Sequence, residues 1–170
     1  TFRTANDDNG GAAIYNFNGE LIIADSKFID NLKDFVISNG NSGSLVVGAI
    51  TTSGNTMITG SYFARNYGRW GGAISSLGYL NTESYTLTVS DSEFEQNNAT
   101  FGGAIFVQSS NIDVNNCIFS DNNAVGVGSS GTSNTQGGAI VVFPGEASAT
   151  ITDSTFIGNS AKLGGAVSLP

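Results

Sequence analysis

The chain has 170 residues, 23 of them glycine and only 12% charged, with a formal net charge of −8. Its acidic balance excludes nucleic acid as a partner, because contacts to phosphates require clustered Lys and Arg. With one Cys and no His, the chain also lacks an internal disulfide, the usual zinc sites and His-based acid–base catalysis.

The chain begins with partial copies of a repeat. Residues 1–6, which end at Asn6, resemble the tail of a preceding coil, and residues 11–14 are a weak copy of a Gly-Gly-Ala-Ile motif. From there onward a Phe-x-x-Asn motif and the Gly-Gly motif strictly alternate. The Phe-x-x-Asn copies begin at Phe28, Phe63, Phe94, Phe119 and Phe156 and end at Asn31, Asn66, Asn97, Asn122 and Asn159. A unit without insertions has about 25 residues, which is typical of solenoids.

Positions aligned on the Phe have a period of two. The residues seven and five positions before each Phe are largely apolar, as at Leu87 and Val89, and the residues between them are polar. This period predicts strands that face a core and disfavours helices. The sequence therefore predicts an all-β fold, a right-handed parallel β-helix of five to six coils. We expect residues 1–170 to be a single segment of a longer solenoid.

Stacked coils bring like residues together, because successive coils lie ~4.8 Å apart. The five Phe residues are then expected to form one interior file. The Asn residues, with Asn6 included, form a second file in which each amide N–H is donated to the amide C=O of the next coil. The competing interpretation is that these Asn residues are merely tolerated in surface turns.

Three departures from the repeat predict surface loops, near residues 32–45, 75–85 and 125–136. The first carries Phe35 and the second carries Tyr79 and Tyr85, whereas the third is rich in Gly, Ser and Thr. Aromatic residues in loops can anchor a protein or glycan partner, although covering the side of the solenoid is an equally good role. Phe35, Tyr79 and Tyr85 are thus the candidate partner contacts.

The remaining reactive residues have simple structural roles. Three positions before each Phe, the carboxylates of Asp25, Asp91 and Asp153 never occupy adjacent coils, so they are too far apart for an acid pair or a shared Ca²⁺. Cys117 replaces a Ser in a small, buried column. We therefore predict no catalytic residue, no metal and no cofactor. The sequon that starts at Asn98 is a possible glycosylation site in a eukaryotic secretory context.

With its alternating Phe-x-x-Asn and Gly-Gly-Ala-Ile/Val motifs, the chain resembles the passenger repeats of the chlamydial polymorphic outer membrane proteins. The likeness covers nearly all of the chain, although the single Cys departs from the Cys-richer relatives. The resemblance implies a β-helix passenger that is secreted by an autotransporter route and used in adhesion to host cells.

Together these observations predict a non-enzymatic structural or adhesive segment of an extracellular or cell-surface repeat protein. Its expected partners are a host or neighbouring cell-surface protein or glycan, or further copies of the same protein. No apolar run approaches the ~18 residues of a membrane helix, so this segment is not expected to be membrane-inserted. Two alternatives stay open: a carbohydrate-active or carbohydrate-binding β-helix, and an architectural subunit of a surface filament.

Overall fold

A computed structural model describes residues 1–3, 13–31, 48–78, 85–125, 135–143 and 147–169. Within these ranges the chain consists of short strands and turns, with no helix. The strands, in chain order, are β1 (Phe2–Arg3), β2 (Ile14–Phe17), β3 (Leu21–Ala24), β4 (Lys27–Ile29), β5 (Ile50–Ser53), β6 (Thr56–Thr59), β7 (Tyr62–Ala64), β8 (Ile74–Leu77), β9 (Tyr85–Ser90), β10 (Glu93–Glu95), β11 (Asn98–Ala99), β12 (Ile105–Gln108), β13 (Ser110–Asn115), β14 (Ile118–Ser120), β15 (Asn123–Ala124), β16 (Ile140–Phe143), β17 (Ala149–Thr152), β18 (Thr155–Ile157) and β19 (Val167–Ser168).

Three parallel sheets run along the length of the molecule. Sheet A has the order β1-β4-β7-β10-β14-β18, sheet B has the order β2-β5-β8-β12-β16-β19, and sheet C has the order β3-β6-β9-β13-β17. Each coil contributes one strand to each sheet, so that coil 1 contains β2–β4, coil 2 β5–β7, coil 3 β8–β10, coil 4 β12–β14 and coil 5 β16–β18. The structure confirms the predicted all-β parallel β-helix.

The register places like residues on like residues. Phe94 pairs with Phe63 on one side and with Phe119 on the other. In sheet B, Ile105 pairs in the same way with Ile74 and Ile140. Because side chains alternate across a strand, these files point into one continuous core, whose buried members include the Phe and Ile files of all three sheets.

The corner before sheet B depends on the Gly pair. Gly102 has φ +63, a backbone conformation that L side chains rarely adopt. Gly103 lies against the backbone of the next coil, where an added Cβ would collide with the carbonyl oxygen of Gly138. The two glycines therefore serve different needs, the first a left-handed turn and the second close approach of stacked coils.

The sequence prediction of a loop at residues 75–85 was wrong at both ends. Ser75, Ser76 and Leu77 belong to β8, which pairs with β5 and β12. Tyr85 is the first residue of β9 and pairs with Ser110. Neighbouring coils extend these strands by pairing, which a single sequence with weak strand formers such as Ser does not reveal.

The two other predicted loops fall mostly outside the described residues. This holds for the whole of residues 32–45 and for residues 126–134. The end of the third segment is described, and there Gln136 forms bridges with Phe101 and Leu163 in the neighbouring coils.

Candidate functional site

The interior Phe file is a continuous stack of rings. Neighbouring centroids are 4.7–4.8 Å apart, and neighbouring planes lie within 6° of each other. The stack contains the predicted residues Phe28, Phe63, Phe94, Phe119 and Phe156, and also Phe2. Sequence reasoning missed Phe2 as a member, because Ala5 stands where the motif requires Asn. Its position in residues 1–6, already assigned to a preceding coil, was the available signal.

The Asn residues form a second file, joined amide to amide. Nδ2 donates to Oδ1 of the Asn in the following coil from Asn31 to Asn66 (2.8 Å), from Asn66 to Asn97 (2.9 Å), from Asn97 to Asn122 (3.0 Å) and from Asn122 to Asn159 (2.9 Å). Asn6 lies outside the described residues.

Each interior amide uses its full hydrogen-bonding capacity. Oδ1 of Asn97 accepts two bonds, from Nδ2 and from the backbone N–H of Asn66. Nδ2 of Asn97 donates to Asn122 and to the carbonyl of Phe63 in the preceding coil. Two donors and two acceptor sites are the complete inventory of a carboxamide. Asn is therefore the residue that fits this column: Asp lacks the donors, and Gln places its amide one carbon farther from the backbone.

A third file, two residues before each Phe, consists of Ser with one Cys. The backbone N–H of Ser26 donates to Oγ of Ser61 (3.1 Å), and that of Ser61 donates to Oγ of Ser92 (3.0 Å). The file then reaches Cys117, whose sulfur replaces the hydroxyl. Burial raises the pKa of the Cys117 thiol, so the thiolate needed by a nucleophile is disfavoured.

The Asp residues three positions before each Phe lie at a turn between sheets C and A. Asp25, Asp91, Asn116 and Asp153 all have φ between 47° and 50°, in the left-handed region that Asp and Asn tolerate best. Oδ1 of Asp91 accepts a hydrogen bond from Nδ2 of Asn116 in the next coil (2.7 Å). Among the described residues no group of three or more His, Cys, Asp or Glu side chains is placed to hold a metal ion.

The outer surface of sheet A carries two polar pairs that the sequence did not indicate. The guanidinium of Arg65 donates to both carboxylate oxygens of Asp30, at 2.8 and 3.1 Å, and this contact raises the Arg65 pKa. The Tyr62 hydroxyl donates to Glu95, which raises the pKa of Tyr62 to about 12. Both pairs join residues of adjacent coils. Arg65 is exposed, whereas Asp30, Tyr62 and Glu95 are partly buried. Ion pairs at the surface contribute little to stability.

An aromatic cluster covers the outer face of sheet B in coils 3 to 5. It packs the rings of Trp70, Phe101, Phe106 and Phe143 around Leu77 and Val141. Trp70 stacks on Phe101 at 4.8 Å, Phe143 meets both rings edge-on, and the Arg69 guanidinium lies over Trp70. Because their rings are covered by neighbours, these aromatics act mainly in packing.

A different pair of rings is exposed in coil 1. Tyr15 and Phe17 point outward from β2 and are 56% and 62% exposed. Asn18 follows at the next turn, where its Oδ1 accepts a hydrogen bond from the Tyr85 hydroxyl of coil 3 (3.4 Å). Tyr85 is thus the one predicted partner contact within the described residues, since Phe35 and Tyr79 lie outside them.

A shallow depression on sheet C is lined in part by Thr86, the residue that follows Tyr85. Its lining comes from coils 1, 2 and 3 and combines polar side chains with exposed apolar surface. The lining residues are Glu20, Asn55, Thr56, Met57, Thr86 and Thr88.

The last described coil carries the repeat in its clearest form. Phe156 closes the ring stack, Asn159 closes the amide ladder, and Gly164 has the same positive φ as the equivalent glycines of the preceding coils. Residues 153–170 match the family model of the Chlamydia polymorphic membrane protein repeat. No curated protein and no solved structure matches the chain.

The contacts made within the matched segment recur in the preceding coils. The polymorphic membrane protein repeat covers Phe156 and Asn159, and the same ring stack and amide ladder continue through four further coils, back to Phe28 and Asn31. The matched segment thus has the same internal contacts as the other described coils. The described residues contain no helix that is long and apolar enough to cross a membrane.

Proposed function

We propose that the chain is a non-enzymatic, adhesive segment of a cell-surface repeat protein of the autotransporter-passenger type. The observation that carries this proposal is the match of residues 153–170 to the Chlamydia polymorphic membrane protein repeat. The family name refers to membrane proteins, and a long solenoid displayed from a membrane suits contact with another cell.

The stacked architecture supports this role in physical terms. The core contacts of a coil are with its neighbours, so a solenoid can be lengthened without redesign of its core. The ring stack and the amide ladder provide the same contacts at every step, which gives a stiff scaffold. Surface side chains are then free to vary, as the outer faces of sheets A, B and C do from coil to coil.

The non-enzymatic part of the proposal has its own support. The chain contains no His, and the carboxylates of the acidic turn column are separated by Gly60 and Asn116 in alternate coils. The competing hypothesis is that the chain is part of a carbohydrate-active β-helix. Incubation with polyuronates, followed by assays for reducing ends and unsaturated products, is expected to show no turnover; measurable turnover would favour the enzyme.

Adhesion is tested with the purified, labelled chain on cultured epithelial cells. Saturable binding that unlabelled chain competes away is expected. The matched control is a denatured, alkylated sample of the same chain, which retains composition and charge but not the surface. Binding equal to that of the control, or binding that never saturates, would reject the adhesive role.

Surface location is tested separately, with antibodies against the folded chain on intact source cells. Labelling without permeabilisation is expected. Labelling that appears only after permeabilisation would contradict the surface assignment and leave the filament or adhesive roles without a site of action.

A further inference from the structure

We propose that the surface formed by Tyr15, Phe17, Asn18, Tyr85 and the adjoining depression binds a neutral oligosaccharide. This surface is called the corner site below, because it lies where sheets B and C meet in coils 1 to 3. The proposal rests on the adhesive function proposed above and names the chemical class of its ligand.

The exposed rings are the first argument. The Phe rings of the interior file are stacked, and the rings of the outer cluster on sheet B cover one another. Tyr15 and Phe17, in contrast, present most of their surface to water. Their planes lie within 14° of each other and their centroids are 6.4 Å apart, farther than the 4.7–4.8 Å of the packed file. Parallel exposed rings of this kind match the apolar C–H faces of successive pyranose rings.

Polar groups next to the rings are the second argument. The Tyr85 hydroxyl meets the amide of Asn18, the residue that follows Phe17, across 67 positions of sequence. At the depression, Oδ1 of Asn55 accepts a hydrogen bond from the backbone N–H of Thr86 (3.0 Å), and this bond orients the Asn55 amide. Amide, hydroxyl and carboxylate groups at fixed positions are the partners that sugar hydroxyls require, since a hydroxyl both donates and accepts.

Charge selects a neutral ligand over an acidic one. Glu20 is the charged residue of the depression, and no Lys or Arg is among its lining residues or among the four named side chains of the corner site. The chain as a whole carries −8. Uronates and sulfated glycans would meet repulsion with no compensating cation.

The test is binding of the purified chain to an array of neutral oligosaccharides that contains β-linked glucose, galactose and N-acetylglucosamine chains. Heparin and polygalacturonate serve as anionic comparisons. The strongest neutral ligand is then titrated calorimetrically against wild type, Tyr15→Ser, Phe17→Ser and the control Ile157→Ser. Ile157 is 60% exposed in coil 5, so its replacement changes a comparable apolar surface far from the site.

The expected result is binding of a neutral glycan that weakens at least tenfold in Tyr15→Ser and in Phe17→Ser and is unchanged in Ile157→Ser. Absence of binding to every neutral glycan, preference for the anionic glycans, or equal affinity of all four proteins would overturn the proposal. Circular dichroism of each variant establishes that the fold is intact.

A cell-binding assay separates this proposal from the proposed adhesive function. If the corner site supplies the adhesion, Phe17→Ser lowers cell binding and free neutral glycan competes with the wild type. If Phe17→Ser binds cells like the wild type, and treatment of the cells with a protease abolishes this binding, the adhesion partner is a protein. The proposed adhesive function is then retained and the glycan proposal fails.

Discussion

Replacement of Asn97 by Leu tests the amide ladder directly. The side chain of Asn97 takes part in four hydrogen bonds, two with Asn66, one with Asn122 and one with the carbonyl of Phe63. In the Asn97→Leu variant the backbone N–H and one amide N–H of Asn66 lose their acceptor in a fully buried site. The Phe63 carbonyl and the Asn122 amide oxygen each lose one donor.

The expected loss follows from the two orphaned donors. A buried donor without a partner costs about 1–3 kcal/mol, so the two together lower the free energy of unfolding by about 2–6 kcal/mol. For a chain of this length 1 kcal/mol corresponds to about 2–4 °C in Tm. A shift of at least about 4 °C is therefore expected in thermal unfolding followed by circular dichroism.

Gln96→Leu is the matched control, because Gln96 is the exposed neighbour of Asn97 and the same Leu side chain is introduced there outside the ladder. Its replacement by Leu is expected to change stability by less than ~0.5 kcal/mol. Hydrogen exchange adds a local measurement: the amide of Asn66 should exchange faster in Asn97→Leu and not in Gln96→Leu. Equal thermal shifts in the two variants, with Asn66 still protected, would refute the ladder.

Three further changes test other files of the solenoid. Cys117→Ser is expected to raise stability by about 0.5–1.5 kcal/mol in urea unfolding, because a hydroxyl is a better acceptor than sulfur for the backbone N–H of Ser92; a clear loss would contradict the Ser file. Phe94→Ala should cost about 3–5 kcal/mol in the same assay, and a cost below ~1 kcal/mol would show that the ring stack is not tightly packed. In a tyrosinate titration Tyr62 should ionise near pH 12, and Glu95→Gln should move it toward 10. Since the folded pKa is the higher one, the stabilisation from this pair is present below pH 10 and is lost between pH 10 and 12, so an unchanged titration in Glu95→Gln would refute the contact.

The repeated interior could be predicted from the sequence because it is periodic. A residue such as Phe94 recurs at the same place in each coil, and apolar positions alternate with polar ones along its strand. Stacking then converts a column of the sequence into a file in space, with no information needed from distant parts of the chain. The Asn residues were recognisable for the same reason.

The departures from the repeat were harder to predict from the sequence. Arg65 and Gln96 adopt positive φ, although neither residue type favours it. They do so because the pairing of adjacent coils imposes the turn that Asp30 and Asp121 make at the same column. Likewise Leu77 lies in a strand because its neighbours in sheet B are strands, and not because of its own sequence context.

The sequence by itself determined the period, the fold class and the identity of the ring and amide files, because each of these is a property of one coil repeated along an axis. Only the tertiary structure brought Asn18, the residue after Phe17, to the Tyr85 hydroxyl. Surface groups from different coils meet at a corner according to the exact lengths of the turns and insertions between them, and those lengths follow no repeat. The core contacts of this protein thus follow from the residues of a single repeat, whereas its proposed recognition surface depends on contacts between coils.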